Sequence, residues 1–373
     1  MKRFSVIILG GGPAGAATAL ALLKHGYSVL IIERSEYEDW RVGETLPPHV
    51  QKPLSSLGIW DSFLQGGHLP SPAIHAAWGS SHLYETHFIF NPYGSGWHLD
   101  RKRFDAMLAL TAEDAGATLL RGARVTTASY DTHGWHLLIH DGETPLLLEA
   151  QFLVDATGRS SWLARSLGRK RISYDTMIGL VGVLRPQTSR ISIDPVLQLE
   201  ASEEGWWYST PVPGGSLVVT YITDRDYLTR SGLRHAHFWL SKLECAIHTV
   251  ARSRGFQIEG DVHVRSANTY RLARPAGNGW IAVGDAASTY DPLSAEGVSK
   301  ALRSGLSAAQ TIHNYLIGSS EVLDEYVVGI AKEFEDYLAQ RVQYYRREAR
   351  WPASLFWSRR QSISPGLESF RSI

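Results

Sequence analysis

Apolar positions at both ends of the chain predict strands and helices that alternate. A β-branched apolar run over 4–9 predicts a buried parallel strand, and an Ala/Leu-rich stretch over 16–25 predicts a helix that ends at Gly26. A second apolar run at 27–32 completes a βαβ unit within the first 33 residues. Further along, the pattern predicts a buried strand at 280–283, a helix from Gly297 and a long helical tail over 322–350.

The middle of the chain has a different pattern. Short strands are predicted at 135–140 and 145–150, around a hairpin-type turn at Asp141-Gly142-Glu143, and 152–155 returns to a buried strand. Segments punctuated by Gly and Pro at 177–184, 196–200, 206–210 and 217–223 predict an antiparallel sheet. The pattern therefore predicts an α/β protein in which this sheet forms a layer separate from the nucleotide-binding unit.

Composition excludes several classes of function. Lys and Arg total 37, as do Asp and Glu, so no bulk attraction to nucleic acid is expected. No apolar run approaches the roughly 20 residues of a membrane span. Cys245 is the single cysteine, which excludes a redox-active pair, and a core position is the favoured interpretation. No metal site is predicted. Because glycines and a proline interrupt the N-terminal apolar run, no secretory signal is expected and the cytoplasm is the default compartment.

A glycine-rich turn joins the first predicted strand to the first helix. Gly10, Gly12 and Gly15 have the G-x-G-x-x-G spacing, which permits a tight turn, close approach to a pyrophosphate and tight helix packing. Glu33 follows the second strand, where an acid can accept hydrogen bonds from ribose hydroxyls. Together these features predict a nucleotide site, although NAD and FAD share the fingerprint.

A second motif favours FAD. The segment Gly279-Trp-Ile-Ala-Val-Gly284-Asp285 resembles the Gly-Asp motif of the glutathione-reductase superfamily of flavoproteins, in which the aspartate hydrogen-bonds the FAD ribityl chain. The Asp291-Pro292-Leu-Ser-Ala-Glu296-Gly297-Val298 segment resembles the loop that lies beside the isoalloxazine ring and precedes a helix whose positive end stabilises reduced flavin. The disulfide-reductase branch needs two cysteines and is excluded.

The likeness to aromatic hydroxylases, flavin halogenases and geranylgeranyl reductases covers nearly the whole chain. It implies a Rossmann-type FAD-binding domain of the glutathione-reductase/aromatic-hydroxylase type, an inserted antiparallel-sheet substrate domain and a C-terminal helical tail. The expected FAD-binding domain is discontinuous, over 1–75, 100–165 and 270–320; the substrate domain covers 76–99 and 166–269, and the tail covers 321–373. The expected FAD contacts are Gly10, Gly12, Pro13, Ala14, Gly15, Glu33, Arg34, Arg41, Arg101, Val125, Gly158, Gly284, Asp285, Pro292, Glu296, Gly297 and Val298.

Departures from the family patterns limit the branches of the superfamily that the chain can resemble. Thr157-Gly158 replaces the Asp-Gly pair that serves FAD and NADPH in hydroxylases, so direct NAD(P)H binding is in doubt. The chain has no lysine between Lys52 and Lys102, where halogenases carry the lysine that bears the chlorinating species. The Arg41-Val-Gly-Glu44-Thr-Leu-Pro-Pro and Gly205-Trp-Trp-Tyr-Ser-Thr-Pro segments are similar to the LodB/GoxB-like flavoproteins, which mature tryptophylquinone-dependent oxidases.

That resemblance implies flavin monooxygenation of an aromatic side chain, with a tryptophan in an oxidase precursor as substrate and NAD(P)H or a reductase as electron donor. Glu44, Pro292 and Glu296 are the candidate catalytic residues, and Trp206 and Tyr208 are candidate substrate contacts, although core packing is the alternative for both aromatics. Halogenation, prenyl reduction and a non-catalytic assembly role remain alternatives. The arginine- and aromatic-rich stretch at 341–360 predicts either a packed helix with a solvated basic face or a docking surface.

Overall fold

The computed structural model describes residues 2–141, 144–188 and 191–361, and the predicted turn residues Gly142 and Glu143 lie outside these ranges. The strands are β1 (Lys2–Leu9), β2 (Val29–Ile32), β3 (Thr45–Leu46), β4 (Leu69–Ser71), β5 (Ala73–Ala77), β6 (Tyr84–His87), β7 (Gly96–His98), β8 (Thr118–Leu120), β9 (Arg124–Asp131), β10 (Gly134–Asp141), β11 (Thr144–Asp155), β12 (Arg171–Ser173), β13 (Met177–Pro186), β14 (Leu197–Ser202), β15 (Gly205–Pro211), β16 (Leu217–Asp224), β17 (Phe256–Ile258), β18 (His263–Ser266), β19 (Tyr270–Leu272), β20 (Ala276–Gly277), β21 (Trp280–Ala282) and β22 (Ser288–Thr289).

The helices occupy the chain ends and the connections between sheets. They are α1 (Pro13–Leu23), α2 (Gln51–Leu57), α3 (Trp60–Gln65), α4 (Arg101–Asp114), α5 (Trp162–Ser166), α6 (Arg225–Ser231), α7 (His235–Leu243), α8 (Ile247–Arg252), α9 (Gly297–Leu316), α10 (Val322–Arg346) and α11 (Leu355–Gln361). Single 3-10 turns occur at Pro48–Val50, Gly158–Ser160, Gly284–Ala286 and Pro292–Ser294. In the ranges that the structure describes, no helix is long and apolar enough to cross a membrane.

The first large sheet is the nucleotide-binding layer. Its strand order is β20-β21-β11-β1-β2-β8, and β1 pairs in parallel with both β2 and β11. The predicted strands at 145–150 and 152–155 are one continuous strand, β11, which forms a hairpin with β10 and then runs into the sheet. Helix α1 is buried on all sides from Ala14 to Leu22 because the sheet and α9 enclose it, which is why its sequence is almost uniformly apolar.

The second large sheet is the predicted antiparallel layer. Its order is β17-β13-β16-β15-β14-β5-β6, and β14 with β5 is the parallel pair on this path. One face packs on α7 through Trp207, Tyr221 and Trp239, and the other packs on the C-terminal helices through Trp206, Tyr345 and Trp357. Two three-stranded sheets, β12-β19-β22 and β3-β7-β4, accompany the two large ones. The α/β fold with two large sheets and a helical tail agrees with the prediction.

Two expectations about the periphery need correction. Cys245 is exposed, not in the core, because it lies at the end of α7 with its Sγ directed to the Ser241 carbonyl. The 341–360 stretch has no uniformly solvated basic face, since Arg341 and Arg360 are buried and ion-paired with aspartates. These two arginines, with Tyr345, Phe356 and Trp357, belong to the interior.

Candidate functional site

The glycine-rich turn has the shape that a pyrophosphate needs. Gly10 has φ +109°, and a Cβ there would lie 2.3 Å from the Ala156 carbonyl oxygen; a Cβ on Gly15 would lie 1.9 Å from the Gly10 oxygen. Gly12, by contrast, faces open space within 4 Å. Helix α1 starts here at Pro13, with no side-chain cap and no acid in its first turn, so its free N–H groups and positive dipole end face that space.

Glu33 braces the same turn. Its carboxylate is buried, and Oε2 accepts a 2.7 Å hydrogen bond from the Gly11 N–H while Oε1 accepts one of 2.6 Å from the Ser35 hydroxyl. Tyr37, which has a left-handed backbone at φ 62°, donates its hydroxyl to the Gly11 carbonyl. Arg34, the next candidate in the sequence, has an exposed side chain.

The two candidate arginines share one buried carboxylate. Arg101, at the start of α4, forms a bidentate pair with Asp105 at 3.0 Å, and Arg41 binds the same carboxylate at 3.0 Å. Arg101 also donates to the Val42 carbonyl, so it fixes the loop that precedes Glu44. Asp105, which the sequence analysis did not single out, orients both cations, since its side chain is fully buried beneath them.

The Gly-Asp turn lies against the glycine-rich turn. Gly284 has φ +56°, and a Cβ there would lie 2.8 Å from the Ala14 Cβ, so the two motifs meet although they are about 270 residues apart in sequence. Asp285 is held between two cations, with Lys300 Nζ 3.3 Å from Oδ1 and Arg159 Nε 3.7 Å from Oδ2. About a third of the Asp285 side chain is exposed, which leaves it accessible to a ligand.

Lys300 is the functional residue that sequence reasoning missed. It projects from α9 with 2% exposure, donates to the Ser288 and Gly284 carbonyls, and lies 4.5 Å from the Tyr290 ring centre. Burial lowers its pKa, and the Asp285 carboxylate opposes this shift. A buried lysine is rare unless it is paired, as Lys300 is with Asp285.

The Asp291–Val298 segment is a shaped loop that leads into α9. Asp291 caps the 3-10 turn at Pro292–Ser294, and Ala295 has a left-handed backbone at φ 51°, a conformation that costs energy for a residue with a Cβ. Glu296 accepts from His49 at 2.9 Å and from Arg303 at 3.0 Å. Although burial acts in the opposite direction, these two partners hold the pKa of Glu296 below its ordinary value.

Helix α10 fixes this loop from behind. The buried carboxylate of Asp291 accepts a hydrogen bond of 2.7 Å from the Tyr345 hydroxyl and pairs with Arg341 at 3.1 Å. The Asp291 N–H donates to the Tyr337 hydroxyl at 2.6 Å, and Tyr337 stacks on Tyr290 with ring centres 4.0 Å apart. The C-terminal helices therefore support the predicted cofactor loop directly.

Glu44 differs from every other carboxylate of the site. It is 2% exposed, its Oε2 accepts from the Gly43 N–H at 3.1 Å, and its Oε1 has no hydrogen-bond partner within the described residues. Burial raises the pKa of Glu44 to about 7, although the backbone N–H groups of Glu44 and Gly43 and the charge of Arg101 act to lower it. The adjoining Gly43 lies beside Val298 at the start of α9, which places Glu44 next to the predicted flavin loop.

The predicted substrate contacts separate into two roles. Trp206 is fully buried and donates to the Tyr345 hydroxyl at 3.1 Å, so the structure assigns it to packing between sheet and helix and corrects the prediction of a substrate contact. Tyr208, two residues along β15, is partly exposed and close enough to Glu44 for that carboxylate to add to the increase in its pKa, which burial chiefly causes.

The segment after β11 contains further residues of the predicted nucleotide site. Asp155 is buried and accepts from the Thr157 hydroxyl at 2.6 Å and from the Ala164 N–H at 2.9 Å, which holds the turn containing Gly158. Gly158 has φ +61° and open space around its Cβ position. Val125, half-buried on β9, lies in the same sheet. Within the described ranges, no group of three His, Cys, Asp or Glu residues could hold a metal.

Comparisons with known proteins find relatives that match most of this chain. LodB of Marinomonas mediterranea, assigned as an FAD-dependent oxidoreductase, is 29% identical over 370 residues and covers 98% of both chains. A 1H-pyrrole-2-carbonyl-[peptidyl-carrier protein] brominase of Pseudoalteromonas luteoviolacea is 25% identical over 331 residues, with 85% of this chain and 79% of that protein covered.

Solved structures show the same fold. The myxobacterial chondrochloren halogenase CndH superposes with a TM-score of 0.90 at 23% identity, covering 98% of this chain and 87% of that one. QhpG, a peptidyl tryptophan dihydroxylase essential for tryptophylquinone cofactor biogenesis, superposes with a TM-score of 0.76 at 24% identity, covering 98% and 81%.

These findings confirm the predicted cofactor and class: the protein is an FAD-dependent oxidoreductase. The glycine turn, the Gly-Asp turn and the open space at Gly12 are the features that fit the cofactor. The sequence model of the FAD binding domain matches residues 3–333, and the chain therefore belongs to that family.

Proposed function

We propose that this enzyme is an FAD-dependent monooxygenase that hydroxylates a tryptophan side chain in a precursor protein during the formation of a quinone cofactor. The observation that carries the proposal is Glu44, a buried carboxyl with one unpartnered oxygen between the flavin loop and the partly exposed Tyr208. Such a group is suited to accept the proton that an aromatic ring carbon loses when it is hydroxylated.

The cofactor and the chain divide the chemistry. Bound, reduced FAD supplies two electrons to O₂, so that one oxygen atom enters a ring C–H bond and the other leaves as water. With a pKa of about 7, Glu44 is partly ionised at neutral pH, and its Oε1 can take up the ring proton and later release it to solvent. Glu296 is less suited to this role because its carboxylate already accepts from His49 and pairs with Arg303.

A protein-borne substrate is supported by the relatives. QhpG acts on a peptidyl tryptophan, and the Pseudoalteromonas brominase acts on a 1H-pyrrole-2-carbonyl-[peptidyl-carrier protein]. The strongest full-length similarity among the relatives described is to LodB, which has the same length within a few per cent. The electron donor that we propose is NAD(P)H or a reductase, and Thr157-Gly158 in place of the hydroxylase Asp-Gly pair favours delivery by a reductase.

The test is a single-turnover reaction of photoreduced holoenzyme with ¹⁸O₂. Three candidate substrates are compared: free tryptophan, a short tryptophan peptide and the precursor of a tryptophylquinone oxidase. We expect ¹⁸O on a precursor tryptophan by mass spectrometry, little on the peptide and none on the free amino acid. Efficient hydroxylation of free tryptophan would contradict the proposed substrate, and no oxygen transfer to any of the three would contradict monooxygenation.

Halogenation is the second candidate, and the brominase relative favours it. The missing lysine between Lys52 and Lys102 opposes it, and the structure shows no lysine in contact with Glu44 within the described residues. The same reaction with ordinary O₂ and added bromide separates the two functions.

A further inference from the structure

A second pocket lies in the antiparallel-sheet layer, away from the glycine-rich turn. Its volume is about 300 Å³, and it lies between the 191–196 segment, β14 and the end of α8. Its lining includes Asp194, Gln198, Arg252 and Arg254. We call it the Arg252 pocket.

Arg252 carries a charge that the protein leaves largely uncompensated. Its Nη2 donates to the Asp194 and Val196 carbonyls at 3.1 and 2.7 Å, whereas its buried Nη1 has no hydrogen-bond partner among the residues that the structure describes. In the described part of the chain, no carboxylate forms an ion pair with this guanidinium within 4.0 Å. Burial lowers the pKa of Arg252 to about 10, and the more distant Asp194 carboxylate offsets this shift in part.

Gln198 brings a second free donor to the same pocket. Its side chain is on β14, 6% exposed, and its amide Nε2 has no hydrogen-bond partner within the described residues. A buried amide or guanidinium N–H without an acceptor costs about 1–3 kcal/mol or more, so proteins rarely keep two of them on one cavity. Both groups are donors, and the missing partner is therefore an acceptor.

We propose that the Arg252 pocket binds a small oxyanion, either a carboxylate or a phosphate group. This inference goes beyond the proposed hydroxylation and does not depend on it. A guanidinium presents its donors in a fixed planar fork that matches both kinds of oxyanion, and the Gln198 amide would supply a further donor. Arg254 adds positive charge at the pocket, while the exposed Asp194 carboxylate opposes it.

The pocket is connected to the wall of the candidate active site. The carbonyl of Pro195, in the segment that Arg252 holds, accepts a hydrogen bond from His98 Nε2 at 3.3 Å. His98 Nδ1 in turn accepts one from the Thr210 hydroxyl at 2.8 Å, and His98 is paired with Thr45, the neighbour of Glu44. An oxyanion at Arg252 would thus stabilise a segment that supports β3, the strand that follows Glu44.

The experiment measures thermal unfolding of the holoenzyme, with excess FAD so that the pyrophosphate site stays filled. Sodium phosphate and sodium acetate are titrated separately at constant ionic strength set with NaCl. We expect a saturable rise in Tm with at least one anion, and the anion that acts more strongly identifies the ligand chemistry. In Arg252→Gln the apparent Kd should be at least tenfold weaker.

Two further variants complete the test. Arg230→Gln removes one exposed positive charge elsewhere and should respond as the parent protein does. Gln198→Leu removes one donor and should weaken the apparent affinity for the anion severalfold. If Arg252→Gln does not fold, this variant is the one that tests the proposal. The absence of a saturable rise, or an equal response in the parent protein and the Arg252 or Gln198 variant, would overturn the proposal.

Discussion

At the scale of single residues, Glu44 is the group whose ionisation matters most. Its pKa in the folded protein, about 7, is above the ordinary 4.5. Its contribution to stability is therefore fully present below pH 4.5 and is lost as the pH rises through 7. The shift corresponds to about 3 kcal/mol. We expect Glu44→Gln to raise the Tm of the apoprotein at pH 9 relative to the parent protein, with no such gain at pH 5.

Glu296→Gln is the matched control, because its partners lower the pKa of Glu296. That carboxylate stabilises the fold above its unfolded pKa of 4.5, so its loss should lower the Tm at pH 9. In the oxygenation reaction, the rate for the parent enzyme should rise with pH through about 7, and Glu44→Gln should remove that rise. A pH profile unchanged by Glu44→Gln would exclude it as the proton acceptor.

Lys300 makes a second residue-scale prediction. Because its ammonium holds both the Gly-Asp turn and the Asp285 carboxylate, Lys300→Met should leave that carboxylate less well oriented toward FAD. We expect at least a tenfold increase in the FAD dissociation constant, measured by flavin fluorescence with the apoprotein. Lys332→Met, a lysine of α10 distant in sequence from both motifs, serves as the control. Unchanged FAD affinity in Lys300→Met would show that Lys300 does not orient the Asp285 carboxylate for FAD binding.

At the scale of elements, α10 has a role that its sequence does not suggest. Its residues Arg341 and Tyr345 hold Asp291 at the base of the flavin loop. Tyr345→Phe removes a buried hydroxyl that donates to Asp291 and accepts from Trp206, so we expect a loss of about 1–3 kcal/mol in the free energy of unfolding. Urea denaturation measures it, and Tyr344→Phe, on the exposed side of α10, should be neutral. Equal effects of the two substitutions would contradict this role.

At the scale of the whole molecule, the fold is shared by hydroxylases and halogenases, so the site must decide between them. Reduced holoenzyme, O₂ and bromide should give no brominated tryptophan in any of the three candidate substrates. The reason is the absence of a lysine in the segment where halogenases carry one. Mass spectrometry detects the product, and a flavin-dependent halogenase assayed in parallel shows that bromination would be seen. A brominated indole would reverse the assignment.

Local pattern was sufficient for most of the architecture. Strands β1, β2, β13, β15 and β16 and helix α9 lie where the sequence predicts them, because buried strands and glycine turns leave strong periodic signals. The glycine turn and the Gly-Asp motif are visible in the sequence because several of their glycines are required by close contacts, as at Gly10, Gly15 and Gly284. The predicted ends of the elements were less accurate. Helix α10 ends at Arg346, whereas the sequence predicted a helix that continues to residue 350.

Contacts between distant segments decided the rest. The arginines and aromatics at 341–360 have the composition of a docking surface, yet Arg341 and Arg360 are buried because Asp291, Asp175 and Asp224 reach them from other parts of the chain. Lys300 and Trp206 gain their roles in the same way. The sequence determined the fold class and the cofactor, since those depend on local backbone shape. Tertiary structure decided which charges are paired and which carboxyl, that of Glu44, is left buried and unpaired. Burial and pairing depend on residues that are far apart in sequence.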